Sequence, residues 1–129
     1  MSGHLLDTSV LIAGDPAAAS GLPSRAAISV VSLGELHAGV LLARADAVRH
    51  GRMARLDAVR AAFAAIAVDE AIAERYGAVL ATARAQRRAV KATDLLIIAT
   101  AWATARTLYT LDQAQARLAA AVDLAVETG

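Results

Sequence analysis

Short apolar runs rich in branched residues alternate along this chain with longer segments whose apolar residues recur at helical spacing. That alternation limits the possible folds sharply. Parallel strands need crossover connections, and the crossing helices cover both faces of the sheet. Strands are expected at His4 to Leu6, Ala27 to Val31, Ile66 to Val68, Leu108 to Thr110 and Val122 to Val126. Helices are expected from Ser32 to about Arg44, Ala45 to about Ala65, Asp69 to about Gln86, Thr93 to Ala105 and Gln113 to Ala121. In the second of these, Met53, Leu56, Val59 and Phe63 form the apolar stripe. The Gly- and Pro-containing stretch Gly14 to Pro23 reads as a loop. The fold class that follows is α/β, a three-layer α/β/α sandwich on a mostly parallel central sheet. Residues 1–129 are read as one domain, because 129 residues suit a single core.

Composition narrows the function. A hydrophobic fraction of 57% excludes a disordered chain, and with aromatics at 3% the core must be aliphatic. The absence of Cys excludes a disulfide framework and thiolate metal sites. A net charge of +1 makes any nucleic-acid contact a local matter. The N-terminal stretch MSGHLLDTSVLIAG has no Lys or Arg and is broken by Asp7, so it makes a poor signal peptide. The longest uncharged run in the C-terminal half, Leu95 to Ala105, is far shorter than the roughly 18–20 residues that span a bilayer. A cytoplasmic protein with no membrane partner is expected.

Four acids stand at strand-to-helix junctions within apolar sequence: Asp7 in LLDTSVLI, Glu35 in SVVSLGEL, Asp94 in KATDLLIIATA and Asp112 in LYTLDQAQ. In parallel sheets, ligands bind outside the carboxyl ends of the strands. Helix capping offers a plainer account. Asp7 and Asp112 could each cap a helix, Ser32 and Glu35 fit a capping box, and Asp94 could follow a Thr93 cap. Capping alone does not explain four such placements among only 12 acids. If the four converge, two carboxylates about 5 Å apart repel by roughly 3 kcal/mol at an effective dielectric of 20. Such a cluster takes up protons or binds a hard cation. All-oxygen donors suit Mg²⁺ or Mn²⁺, the usual equipment of phosphodiester hydrolysis.

In order and spacing, these four motifs resemble those of the PIN-domain nucleases, most closely the VapC-type toxins of bacterial toxin–antitoxin pairs. The resemblance spans nearly the whole chain. It implies a PIN-like fold, a metal-dependent endoribonuclease acting on single-stranded or looped RNA, Mg²⁺ or Mn²⁺ as cofactor, a homodimer, and a cognate antitoxin protein as partner. It matches Asp7, Glu35, Asp94 and Asp112 to an acidic quartet, with Asp7, Asp94 and Asp112 holding the principal ion. Glu35, with Asp94, holds a second ion or orients the attacking water. Thr8 steadies Asp7 or a water on the metal, with Ser9 in support. Three alternatives remain at this point: a non-enzymatic α/β binding module whose acids cap helices, a phosphatase-like phosphate hydrolase, and a PIN domain used for DNA or regulatory binding. A haloacid-dehalogenase-like phosphatase wants a second Asp two residues after the first, where this chain has Ser9.

Among the cations, Arg84, Arg87, Arg88 and Lys91 crowd the stretch before Asp94 and are candidates for gripping RNA phosphates. Arg49, Arg52, Arg55 and Arg60 read as an exposed helical face, one that could also meet RNA or the antitoxin. His4, His37 and His50 read as surface or packing residues, and Trp102 as a core or dimer contact.

Overall fold

The computed structural model describes residues 3–13 and 25–129. The expected loop at Gly14 to Pro23 lies outside the described residues. The described chain runs β1 (His4–Leu6), α1 (Thr8–Ile12), β2 (Ala26–Ser29), α2 (Val30–Leu42), α3 (Asp46–Ala62), β3 (Ala64–Ile66), α4 (Glu70–Ala85), α5 (Ala92–Ala103), β4 (Thr107–Thr110), α6 (Gln113–Ala121) and β5 (Val126–Thr128).

Strands order as β3-β2-β1-β4-β5, and every pairing is parallel. The side-chain period of two then sorts each central strand between two cores. Leu5, Ala27 and Leu108 point to one side, where Val79 and Ala83 of α4, Ile97, Ile98 and Ala101 of α5, and Leu118 of α6 meet them. Leu6 and Ile28 point to the other, against Leu11 of α1, Leu36 and Val40 of α2, and Leu56 and Val59 of α3. Two cores back to back on one sheet make the three-layer sandwich. Helix α5 carries no charge after Asp94 because it is enclosed, with Leu95 and Ile97 to Ala101 all buried. Each of its fully buried aliphatic side chains contributes about 1.5–3 kcal/mol of transfer free energy.

Of the boundaries that differ from the sequence reading, three have a clear local reason. Helix α2 begins at Val30 because the Ser29 hydroxyl accepts the Val31 amide at 3.0 Å, which draws two β-branched residues into the helix. Strand β3 starts two residues early, since Ala64–Ile66 register against Ala27–Ser29. The last strand falls at Val126–Thr128 because α6 ends in a left-handed turn at Asp123 (φ 58°), where the Leu124 amide bonds the Ala119 carbonyl at 3.0 Å. Helices α4 and α5 end the same way, at Arg87 (φ 54°) and Ala105 (φ 53°), and none of the three turns uses glycine.

From the central strand β1 the chain leads outward to β2 and β3, and β4 and β5 fill the opposite side. The carboxyl ends of β1 and β4 therefore flank the point where strand order reverses, the place in such sheets where ligands enter. No helix among the described residues is long and apolar enough to cross a membrane.

Candidate active site

Asp7 directly follows β1 and is buried, with 4% of its surface exposed. It stands at the N-cap position of α1, yet its side chain caps nothing. Instead Oδ2 accepts hydrogen bonds from the Ser9 hydroxyl at 2.7 Å and the Thr110 hydroxyl at 2.8 Å. Thr110 is fully buried at the end of β4, and its Oγ1 in turn accepts the Asp112 amide at 3.0 Å. Ser9 Oγ accepts the Leu111 amide at 3.1 Å. Two hydroxyls thus tie the first acid to the segment bearing the fourth, across more than a hundred residues of chain. Both engage the same Asp7 oxygen, and the other makes no hydrogen bond among the described residues.

Glu35 lies in the second turn of α2. Its Oε1 accepts the Thr8 hydroxyl at 2.6 Å, and Thr8 Oγ1 also lies 2.8 Å from the Ser32 hydroxyl. This corrects two expectations. Thr8 is tied to Glu35 rather than to Asp7. Ser32 and Glu35 form no capping box, because Ser29 caps the helix and Ser32 is buried inside it.

Asp94 occupies the first turn of α5, whose N-cap is Lys91 rather than Thr93. Its carboxyl is held above its ordinary pKa, first by burial and next by the charge of Asp7. Lys91 opposes this, while Glu35 and Asp112 add to it. All four acids therefore share one electrostatic neighbourhood. Asp112 does cap α6, its Oδ1 accepting the Ala114 and Gln115 amides at 2.9 and 3.1 Å. The buried Gln115 side chain donates from Nε2 to the Asp94 backbone carbonyl at 2.9 Å, locking α6 to α5. Capping thus accounts for one acid of the four.

The donor set is oxygen throughout and carries four carboxyl groups, which suits a hard divalent cation. As the side chains are oriented, no group of three or more acids or histidines among the described residues closes on a single ion. The fit is one of donor chemistry and mutual charge, and coordination requires the carboxylates to draw together.

Two hollows flank the acids, one in each helical layer. A cavity of about 120 Å³ is lined by Lys91, Asp94, Asp112 and Gln115, together with Ala89, Val90 and Ala114. A larger one of about 380 Å³ is lined by Ile12, Glu35, Leu36, Gly39, Arg52 and Arg55. Of the expected RNA-gripping residues, Lys91 lines the smaller of these two hollows, and Arg84, Arg87 and Arg88 line neither. Arg84 is exposed in the last turn of α4, and Arg87 and Arg88 form the turn that ends that helix. Arg52, exposed as the sequence reading has it, donates to the Gly39 carbonyl at 2.7 Å, and the half-buried Arg55 donates to the Leu11 carbonyl at 2.6 Å. Thr110 and Gln115 were not singled out from sequence. Thr110 carried one usable signal: it shares strand parity with the core residue Leu108, and a hydroxyl on a buried face needs a partner. Trp102 packs against the α4–α6 core, with the Arg75 guanidinium 4.5 Å from its ring centre.

Known proteins resemble this chain along most of its length. The PIN domain family matches residues 4–121. Ribonuclease VapC8 of Mycobacterium tuberculosis is 45% identical over 100 residues, which cover 75% of this chain and 88% of that protein. Among solved structures, VapBC-5 of M. tuberculosis, a member of the VapBC family of toxin–antitoxin systems, superposes with a TM-score of 0.82 at 33% identity, over 99% of this chain and 98% of that one. VapBC2 from Rickettsia felis, bound to a DNA fragment from their promoter, superposes at 0.78 over 99% of both chains. Its 20% identity speaks to the fold alone.

Proposed function

This chain belongs to the PIN domain family, and from that premise we propose that it is an endoribonuclease, an RNA-cleaving hydrolase that acts as the toxin of a toxin–antitoxin pair. The observation that carries the reading is the gathering of Asp7, Glu35, Asp94 and Asp112 from four separate chain segments into one field, with Asp94 burdened by burial and by the other three. Families of protein fold alone do not fix function, but a site of this composition does narrow it. The ribonuclease name of the VapC8 relative supports the chemistry, and VapBC-5, a toxin–antitoxin structure, supports a cognate antitoxin as partner. A homodimer completes the proposed assembly.

Mg²⁺ or Mn²⁺ would be held by Asp7, Asp94 and Asp112, with Glu35 completing the set. When bound, the ion supplies charge compensation at the phosphodiester and polarises an attacking water. The chain's own residues do the rest. Ser9 and Thr110 fix Asp7 through one oxygen and leave the second for the site. Thr8, itself bonded to the Ser32 hydroxyl, fixes Glu35 through Oε1, so that the remaining Glu35 oxygen can orient a water and accept its proton. Gln115 holds the start of α5, and so Asp94, against α6. The binding-module alternative requires the acids to be caps, and only Asp112 is one.

The test is cleavage of single-stranded RNA by the wild-type protein and by Asp94→Asn, each with Mg²⁺ and with EDTA. Cleavage by the wild type alone, lost on chelation, is expected. Equal cleavage by both proteins, or cleavage indifferent to EDTA, refutes the reading.

A further inference from the structure

A carboxylate cluster repels the polyanion it is meant to cut, so cations must meet the phosphates on either side of the scissile bond. Lys91, Arg52 and Arg55 line the hollows beside the acids, from opposite helical layers. Lys91 lines the smaller hollow with Asp94 and Asp112, on the α4–α6 side. Arg52 lines the larger one with Glu35, on the α1–α3 side. Asp7, at the end of the central strand, lies between the layers.

The larger hollow has the character of a nucleotide subsite. Its volume of about 380 Å³ falls within the usual range for small-molecule sites. Half of its lining residues are without polar side chains, namely Ile12, Leu36 and Gly39, with Ile12 more than half exposed. Single-stranded RNA is held by stacking its bases on aromatic rings or on guanidinium planes. This chain has only four aromatic residues of the Phe, Tyr and Trp types. Phe63 and Tyr109 pack on one core, Tyr76 and Trp102 on the other, and Arg75 lies over the Trp102 ring. None of the four lines either hollow, whereas Arg52 brings a guanidinium plane to the larger one. The Arg52 guanidinium is placed by its bond to the Gly39 carbonyl, and Arg55, one turn on, bonds the Leu11 carbonyl.

Resting on the ribonuclease reading, we propose that single-stranded RNA crosses the acids from Lys91 to Arg52, with Lys91 holding a phosphate and the Arg52 hollow seating the nucleotide beyond the scissile bond. Arg84, Arg87 and Arg88 line neither hollow.

The experiment measures binding of a fluorescein-labelled, random-sequence single-stranded RNA by anisotropy over a range of salt. It uses Asp94→Asn protein to prevent cleavage, alone and combined with Arg52→Gln, Arg52→Lys, Lys91→Gln or Arg87→Gln. Arg52→Gln and Lys91→Gln should each weaken binding about tenfold, the scale of one charge-assisted contact. Lys91→Gln should also lower the salt slope by about 0.7, the value for one single-strand phosphate. Arg52→Lys keeps the charge and a donor for Gly39 but loses the plane, so it should recover only part of the affinity. Arg87→Gln should change nothing. Unaltered binding by Arg52→Gln, or an equal loss with Arg87→Gln, overturns the path and leaves the larger hollow to a protein partner. In that case, EDTA-sensitive cleavage by the wild type would leave the nuclease reading standing. Absence of RNA binding together with absence of cleavage removes both.

Discussion

Thr110 shows how much of this site rests on residues that do no chemistry. Its hydroxyl is fully buried, donates to Asp7 and accepts from the Asp112 amide. Replacement by Val keeps the shape and strands the amide, a cost of about 1–3 kcal/mol. Thr110→Val should therefore shift the urea midpoint downward and depress RNA cleavage, and Thr110→Ser should restore both. Cleavage that survives in Val would mean that Ser9 alone orients Asp7. Asp94 makes the opposite case, a residue kept at the expense of stability. Its folded-state pKa lies above the ordinary 3.8, so the folded chain retains a proton that the unfolded chain releases. The stability linked to that proton is fully present below 3.8 and is lost as pH rises through the folded value. In EDTA at neutral pH, Asp94→Asn should melt at or above the wild-type temperature, because it relieves both the burial cost and repulsion from Asp7, Glu35 and Asp112, partly offset by losing Lys91. That advantage should shrink as pH falls toward the carboxylate range. A lower melting temperature for the Asn protein at neutral pH would assign the side chain a structural role.

At the scale of elements, the helix ends are more informative than the helix bodies. Helices α4, α5 and α6 each stop in a left-handed turn built on a residue with a Cβ, namely Arg87, Ala105 and Asp123. A left-handed conformation costs such a residue roughly 1–2 kcal/mol, and glycine removes that cost while losing about 0.4–1 kcal/mol to the unfolded chain. Ala105 is exposed, so Ala105→Gly should stabilise by about 0.5–1 kcal/mol, read as a higher denaturation midpoint with activity unchanged. A lower midpoint would show that the turn gains from its Cβ. The same turns explain why the last strand begins later than Val122. The Val122, Asp123 and Leu124 amides all return to carbonyls of α6 before the chain can extend.

At the scale of the whole molecule, the sheet order puts β1 between β2 and β4 and so brings distant segments to one edge. The consequence is a fold that concentrates like charge where it binds substrate. Metal binding and folding are then linked, because only the folded chain gathers the acids. Mg²⁺ or Mn²⁺ at a hundred times its dissociation constant should stabilise the protein by about 2.7 kcal/mol. The wild-type melting temperature should rise with added metal, and that of Asp7→Asn should rise far less. A wild-type transition unmoved at millimolar metal would count against the proposed ion.

Periodicity and punctuation carried the alternating elements, the aliphatic double core and the positions of four acids, because those are local properties of the chain. Asp7, Glu35, Asp94 and Asp112 could be marked as unusual, and a family could be matched to them, before any coordinates. What each carboxylate bonds to was decided in three dimensions. Asp112 caps a helix, Asp7 is held by hydroxyls two and 103 residues away, and Glu35 answers to Thr8 rather than to its own helix. Arg52 is the exposed charge that its sequence suggests, and only the packing of α3 beside α2 makes it part of a hollow. Hydrogen bonds between side chains depend on register, helix phase and layer packing at once, and none of these is a function of sequence distance.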